Sequence, residues 1–329
     1  MGGLTNFPNG LSSFGVPVIG GGYIPATQGN YIFVDYTTGD DGTPLRAISV
    51  SKPLKTVARA YELATSNQDD VIVLMGSATH VLTSMLTVSK NRVHFVGMDG
   101  SSGRMYGQNA KISLGVTAAA TDIGTILNTG VRNSFTNIKF INENTVTEGI
   151  YCFVEGGEYT LINQCEIYKA TDMDVTGAAD LVMNGDSAQV INSTIGSLAT
   201  ARSGAVIRPC VLVTSGVAGV GKVARDVLFS GCKLWIQCTN TANRFVYGAN
   251  AADVERAMEF DNCSFINNVA GAAIPAQNVA FGATLTVGAV LLNRCTSLLA
   301  STAMSTTTGV YVDGAVPAAA TTGISVQAS

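Results

Sequence analysis

One short segment built around a cysteine recurs along this chain of 329 residues. Its four clearest copies are "LINQCEIYKA" from Leu161, "LFSGCKLWI" from Leu228, "EFDNCSFIN" from Glu259 and "LLNRCTSLL" from Leu291. In each copy the two residues beside the cysteine are polar, apart from Gly231, whereas the residue two positions after it is apolar in three of the four. Side chains of a β-strand alternate between two faces, so the cysteine and the residue two positions later share a buried face.

The apolar residue three positions before the cysteine is out of phase with this alternation, so the chain must bend between the two. A short polar residue stands two positions before the cysteine, namely Asn163, Ser230, Asp261 or Asn293. Such side chains tolerate the left-handed backbone conformation and can bond their own backbone. We therefore predict a corner between two strands at this position.

Two further segments fit the same frame, with Thr136 at the corner of "FTNIKFIN" and Ser193 at the cysteine position of "VINSTIG". The aligned anchor residues are Ile138, Cys165, Ser193, Cys232, Cys263 and Cys295, and they are 27, 28, 39, 31 and 32 residues apart. Repeats of this length are typical of a parallel β-helix, in which each coil stacks on the next. The anchors are predicted to form a core ladder of small side chains. A metal or redox role is disfavoured because no histidine or CxxC pair accompanies them.

The chain divides into three parts. Residues 1–30 are rich in Gly, Pro, Asn and Ser, which predicts an extended N-terminal arm without a core of its own. Residues 31–300 carry the apolar alternation, with a single helix predicted near 54–65 and capped by Thr56. Residues 301–329 contain one charge, Asp313, and are predicted to be a weakly specified tail that orders against a partner.

Composition and charge narrow the function classes. Charged residues make up 13% of the chain, against about a quarter in ordinary domains, which predicts a surface partly buried against copies of the chain or other proteins. The net charge of −4 gives no reason to expect nucleic acid or an anionic membrane as a partner. The N-terminus lacks the basic residues of a signal peptide, and no apolar run is long enough for a spanning helix. The odd number of cysteines favours free thiols made in a reducing cytoplasm, and no cofactor is predicted.

The segment from Tyr31 to Leu82 carries Phe33-Val34-Asp35, a Gly39-Asp40-Asp41-Gly42 turn, "KPLKT" before the helix and the first apolar run "DDVIVLMG". These features resemble the N-terminal part of right-handed parallel β-helix proteins of the pectate-lyase-like superfamily. The resemblance implies an all-β fold, a right-handed single-stranded parallel β-helix, with an N-terminal capping helix that covers the open end of the stack.

The arm sequence "GLTNFPNGLSSFGVPVIGGG" resembles the start of virion structural proteins of tailed bacteriophages. That resemblance implies a homotrimer made in the bacterial host cytoplasm and fixed to the phage particle, with the major capsid protein or other virion subunits as partners. The expected capsid-docking residues are the apolar ones of the arm: Leu4, Phe7, Pro8, Leu11, Phe14, Val16, Val18 and Ile19.

The predicted function is that of a non-enzymatic virion structural protein, a capsid decoration or cement protein that binds the outer surface of the head and stabilises it. The alternative is a tail or head fibre, or a tailspike-like protein, that binds and could cleave a host polysaccharide. Glycan binding separates the two hypotheses, whereas attachment to the particle does not.

The residues that could carry chemistry do not form a predicted catalytic set. Cleaving a glycosidic bond requires two carboxylates at a defined separation, and Glu166 alone is expected on the outer face of the aligned coils. Asp172, Asp174 and Asp180 lie in loop-like sequence and are interpreted as solvated loop carboxylates, with a catalytic set and ion or sugar contacts as the alternatives. The two histidines, His80 and His94, are expected to be structural, so that a serine or cysteine triad has no support.

Two other features invite a functional interpretation. The segment "GVAGVGKV" from Gly216 is similar to a phosphate-binding loop, but Val223 stands where the motif requires Ser or Thr, so a glycine-rich loop between coils is predicted. Tyr168 and Trp235 both lie three positions after an aligned cysteine, which places them on the outer face in rough alignment. They are expected at a subunit interface, with a glycan-binding surface as the alternative.

Overall fold

The structure is a computed structural model. It describes the backbone of residues 11–13, 16–18, 27–76, 78–98, 107–115, 123–145, 150–171, 175, 177–202, 206–217, 220–269, 275–299, 304–313 and 324–326.

Nearly all of the described chain winds into a parallel β-helix with three sheets, which confirms the predicted fold class. Sheet 1 has ten strands, each parallel to its neighbours. They are Tyr31–Val34, Asp70–Met75, Val93–Met98, Ser134–Thr136, Leu161–Asn163, Gln189–Ile191, Val227–Ser230, Ala257–Asp261, Ala289–Asn293 and Val310–Val312.

Sheets 2 and 3 complete each coil. Sheet 2 consists of Thr79–Leu82, Lys111–Leu114, Lys139–Asn142, Glu166–Lys169, Thr194–Arg202, Lys233–Cys238, Ser264–Asn267, Thr296–Leu298 and Ile324–Val326. Sheet 3 consists of Leu86–Val88, Ile126–Asn128, Tyr151–Glu155, Ala179–Met183, Val211–Val213, Val246–Gly248 and Val279–Phe281. In sheet 2 the last strand pairs antiparallel with Thr296–Leu298, whereas the other pairs in both sheets are parallel.

The aligned anchor residues form one column in the interior. The residues that follow them, Lys139, Glu166, Thr194, Lys233, Ser264 and Thr296, are successive Cα partners in sheet 2. The anchors themselves are at most 1% exposed. All seven cysteines of the chain are free and buried, and burial raises the pKa of the Cys165 thiol to about 12. Neutral thiols of this kind pack as small apolar groups.

The corner lies one residue later than predicted. The residues at Asn163, Ser230, Asp261 and Asn293 end the sheet 1 strands, and the left-handed conformation falls on the next residue. These left-handed residues have φ between 47° and 63° and are Asn137, Gln164, Asn192, Gly231, Asn262 and Arg294. A single residue of this conformation redirects the chain so that the side chains on both sides of it, such as Ile162 and Cys165, point inward. The prediction was wrong because it assigned the turn from side-chain chemistry alone.

The helix that closes the N-terminal end is Val57–Leu63, shorter than the predicted 54–65, and a short 3-10 helix, Leu45–Ala47, precedes it. Thr56 caps it as predicted, because its hydroxyl accepts a hydrogen bond from the backbone N–H of Arg59 at 3.2 Å. The carboxylate of Asp41 accepts bonds from the backbone N–H groups of Lys55 and Thr56, each at 2.9 Å. The Gly39–Gly42 turn is thereby tied to the helix. Among the described residues, no helix has the length and apolar character needed to cross a membrane.

The predicted arm is described in part. Leu11–Ser13 and Val16–Val18 form an antiparallel pair of strands. Of the predicted docking residues, Leu11, Val16 and Val18 belong to these strands. The others lie outside the described residues: Leu4, Phe7, Pro8, Phe14 and Ile19.

The β-helix continues past the predicted boundary at residue 300. Val310–Val312 adds a parallel strand to sheet 1 beside Ala289–Asn293, and Met304 is buried in the core. The described part of the predicted tail therefore orders against its own coil. The sequence analysis missed this strand because small polar residues surround it and obscure the apolar alternation.

Candidate functional site

The outer face of sheet 1 carries a groove of about 590 Å³ close to the N-terminal end of the β-helix. The charged, aromatic and hydroxyl side chains that line it include Asp69, Arg92, His94, Arg132, Ser134 and Tyr159, and Thr27, Gln28 and Asn133 also contribute to its polar lining. They come from consecutive coils, so the groove runs along the stack.

Strand pairing brings His94 and Ser134 together on this face. The two residues are Cα partners on the neighbouring strands Val93–Met98 and Ser134–Thr136. The next residue of each strand, Phe95 or Phe135, is fully buried, and their rings stack inside with centroids 5.0 Å apart. Because side chains alternate along a strand, His94 and Ser134 project outward.

A second set of corners supplies the other groove residues. Asp69, Arg92, Arg132 and Tyr159 have φ of 58°, 55°, 58° and 54°, and each stands just ahead of a sheet 1 strand. The same corner is repeated in successive coils, so these side chains stack along one edge of the sheet. The sequence analysis missed this corner, because the residue type changes from coil to coil.

The groove contains a chain of polar contacts. His94 Nδ1 lies 2.8 Å from Ser134 Oγ, and His94 Nε2 lies 3.3 Å from Asp69 Oδ1. Arg92 holds the same carboxylate through both of its oxygens, and its Nε donates to Oδ1 at 2.9 Å. The hydrogen bonds from Arg92 lower the pKa of Asp69 despite the opposing effect of burial.

His94 thus stands beside a serine hydroxyl, contrary to the expectation that neither histidine lies beside a candidate nucleophile. Forty residues separate His94 from Ser134, which is one turn of the coil. His80 fits the structural expectation: it is buried, and its Nε2 donates to the carbonyl oxygen of Met75 at 3.0 Å. Burial lowers the pKa of His80.

Arg132 and Tyr159 form the more exposed wall of the groove. The Arg132 guanidinium lies 5.7 Å from the centroid of the Tyr159 ring, and 55% of Tyr159 is exposed. Within the part of the chain that the structure describes, Arg132 forms no ion pair. An exposed aromatic ring and a cation here offer contacts to a polar ligand.

Of the four carboxylates considered in the sequence analysis, neither of the two that the structure describes is found free in the groove. Glu166 forms an ion pair with Lys139 at 2.9 Å and accepts a bond from the backbone N–H of Gly107. Asp180 is not a solvated loop residue as predicted: it lies in a sheet 3 strand, 2% exposed, and pairs with Arg202. Asp172 and Asp174 lie outside the described residues. Among the residues that the structure describes, no three or more His, Cys, Asp or Glu side chains are grouped so that they could hold a metal ion.

Tyr168 and Trp235 do not form a continuous outer surface. Both are half-buried in sheet 2, but the strand Thr194–Arg202 lies between their coils, and the Cα partner of Trp235 is Gly196. Each ring lies near a lysine of its own or the preceding coil: Lys139 Nζ is 4.9 Å from the Tyr168 centroid, and Lys233 Nζ is 6.0 Å from that of Trp235.

The glycine-rich loop from Gly216 lies against the outer face of sheet 3. Val217 is buried and Val220 packs in the same apolar cluster, which includes Val154 and Val182. Lys222 forms an ion pair with Glu158 at 2.9 Å. The loop covers apolar surface, which explains its valines without a bound phosphate.

Glu155 is an unpredicted buried carboxylate at the inner corner between sheets 3 and 1. Its oxygens accept hydrogen bonds from Asn128 Nδ2 at 2.8 Å, Thr160 Oγ1 at 2.9 Å and Gly157 N at 2.8 Å. Burial outweighs these donors and raises the pKa of Glu155 to about 7.

We expect Glu155 to make the protein less stable as the pH rises from 4.5 to above 7. Over this window the unfolded chain loses the proton first, so the folded state binds more protons and its advantage falls. The full change is roughly 3 kcal/mol, because the pKa of Glu155 rises from its usual 4.5 to about 7 in the folded protein. In thermal unfolding at pH 5 and pH 8, Glu155→Gln should remove this part of the pH dependence. The exposed Glu62→Gln control should retain it, and equal slopes in both variants would contradict the prediction.

No family model matches this chain, and no curated protein matches it. Among solved structures, the pectate lyase Pel9A is similar with a TM-score of 0.56 and 14% sequence identity, covering 81% of this chain and 62% of the lyase. A pectin methylesterase from Aspergillus niger in deglycosylated form is similar with a TM-score of 0.53 and 11% identity, covering 87% of this chain and 91% of the esterase. The chain thus spans less than two thirds of the length of Pel9A. At these identities the likeness is one of fold, the parallel β-helix.

Proposed function

We propose that this chain is a structural protein of a tailed-phage virion, a capsid decoration or cement protein whose β-helix forms a rigid body on the head surface. The observation that carries the proposal is that charged side chains on the outer face form ion pairs between adjacent coils. Among the described residues, six ion pairs on this face join consecutive coils: Asp69–Arg92, Lys139–Glu166, Asp186–Arg225, Arg225–Glu255, Asp226–Arg256 and Asp261–Arg294.

These pairs join several coils to their neighbours, which suits a mechanical role. In a solenoid each repeat contacts only its neighbours, so contacts between adjacent coils decide how well the stack resists fraying. Carboxylates held in such pairs are also less available for acid–base work than free ones. Homotrimer formation and docking through residues 1–30 are parts of the same proposal, supported by the low content of charged residues and the apolar residues of the arm.

Capsid binding tests the proposal. The full chain and a chain lacking residues 1–30 are mixed with mature capsids of the encoding phage from which this protein has been removed. The full chain should sediment with the capsids and raise their disruption temperature, because a ligand of the assembled state stabilises it. The shortened chain should do neither while keeping its β-sheet circular dichroism. Failure of the full chain to bind, or equal binding by both, would overturn the proposal.

A second candidate is a virion fibre that binds host polysaccharide, and the groove on sheet 1 favours it. The ring of Tyr159 is exposed beside Arg132, and the solved structures that share the fold include a pectate lyase and a pectin methylesterase. Isothermal titration with the host surface polysaccharide tests it. Tyr159→Ala should weaken binding roughly 3–10-fold, whereas Tyr311→Ala, at the far end of sheet 1, should not. Absence of binding by the unmodified chain would exclude this candidate.

A further inference from the structure

We propose that Ser134, His94 and Asp69 form a nucleophilic site that hydrolyses esters of short carboxylic acids in the sheet 1 groove. The inference goes beyond the proposed virion role and does not depend on it, since the site lies within the β-helix and requires no capsid. It replaces the expectation that the chain has no catalytic residue.

The hydrogen bonds define where the protons lie. Asp69 beside Arg92 accepts hydrogen bonds as a carboxylate, so in the neutral form of His94 the imidazole hydrogen is on Nε2 and points to Asp69 Oδ1. This tautomer leaves a lone pair on Nδ1, 2.8 Å from Ser134 Oγ. The hydroxyl therefore donates to Nδ1, which is the arrangement of a nucleophile, a general base and an orienting carboxylate.

The surroundings of Ser134 determine what could bind. Ser134 is half-buried and lines the groove, so its hydroxyl faces a space that a ligand can enter. Its Cα partner on the next coil, Leu161, provides an apolar wall for a small acyl chain. Arg132 lines the same groove without an ion pair among the described residues and offers a charged donor to a developing oxyanion. Arg132 and Tyr159 together would contact the alcohol portion of the ester, if that portion is polar, as in a sugar.

The reaction is balanced without an external oxidant or cofactor. His94 Nδ1 takes the proton of Ser134 Oγ as the oxygen attacks the ester carbonyl carbon, and the carbonyl electron pair moves to oxygen beside Arg132. The tetrahedral intermediate collapses, the alcohol leaves with the proton from Nδ1, and the acyl group stays on Ser134. Water then attacks the acyl-serine, giving its proton to Nδ1, and the proton returns to Ser134 Oγ as the carboxylic acid departs.

The probe is p-nitrophenyl acetate, with the full-length protein and three variants. The wild type should release nitrophenolate in a burst followed by steady turnover. Ser134→Ala and His94→Gln should reduce turnover by ~10²-fold or more. The control Ser230→Ala removes another half-buried, outward serine of sheet 1 and should leave the rate unchanged. An equal rate in wild type and Ser134→Ala would overturn the proposal.

Covalent labelling gives a readout that does not depend on turnover or on the folding of a variant. An alkyl fluorophosphonate should modify Ser134 in the wild-type protein, as located by peptide mass spectrometry, because an activated serine attacks phosphorus as it attacks a carbonyl. His94→Gln should lose this modification while keeping the wild-type circular dichroism. A wild-type protein that remains unlabelled, or is labelled away from Ser134, would also refute the assignment.

Discussion

Replacing Phe135 by alanine is expected to lower the free energy of unfolding by about 3–5 kcal/mol. The ring is fully buried, with centroids 5.0 Å from Phe95, 5.0 Å from Phe153 and 5.9 Å from Phe140. Its removal leaves a cavity where the cores of successive coils meet, and the rigid sheets cannot collapse to fill it. Denaturant unfolding followed by far-ultraviolet circular dichroism measures the change.

Tyr311→Ala is the matched control for this substitution, because Tyr311 belongs to the same sheet but is 61% exposed. Its effect should stay within about 0.5 kcal/mol. If the two variants unfolded at the same denaturant concentration, the packing of rings around Phe135 would not contribute to stability as described.

Arg202→Met is expected to cost about 3–5 kcal/mol, because it leaves the carboxylate of Asp180 buried without its cation. Both side chains are at most 10% exposed, and Asp180 also accepts a hydrogen bond from the backbone N–H of Lys169 at 2.9 Å. The double variant Arg202→Met with Asp180→Asn should recover most of the loss, since the amide keeps an acceptor for Lys169 but carries no charge. Equilibrium denaturation of the single and double variants gives the coupling.

An exposed pair provides the comparison. Arg294 bonds Asp261 through both oxygens, but its side chain is 63% exposed. Arg294→Ala should therefore leave the midpoint of unfolding close to that of the wild type, because solvent screens an exposed pair. A loss as large as that of Arg202→Met would show that burial does not separate the two ion pairs.

The cysteine-centred repeat was enough to predict the parallel β-helix and the interior column of anchors from Ile138 to Cys295. These features depend on the period of the coil and on alternation along each strand, which are local properties of the sequence. The capping residue Thr56 was readable for the same reason, since a cap acts on the helix that directly follows it. The corner was located one residue early, because a backbone conformation is less directly encoded than burial.

The candidate site could not be assembled from the sequence. His94 and Ser134 belong to different coils, as do Asp180 and Arg202. The sequence around each of these residues does not predict which residue it will contact. Successive anchors are 27 to 39 residues apart, so the loops differ in length from coil to coil. Which outward side chains become neighbours depends on where each loop returns the chain to the sheet.

The sequence by itself thus determined the inside of this protein, and the tertiary structure decided its outer face. Most inward positions are apolar because every coil must bury its core, and that requirement leaves a periodic trace in the residue types. Outward positions do not have to be apolar, so the residue types at Asp69, His94 and Ser134 do not repeat from coil to coil. Their contacts arise from strand pairing between coils, which only the folded chain establishes.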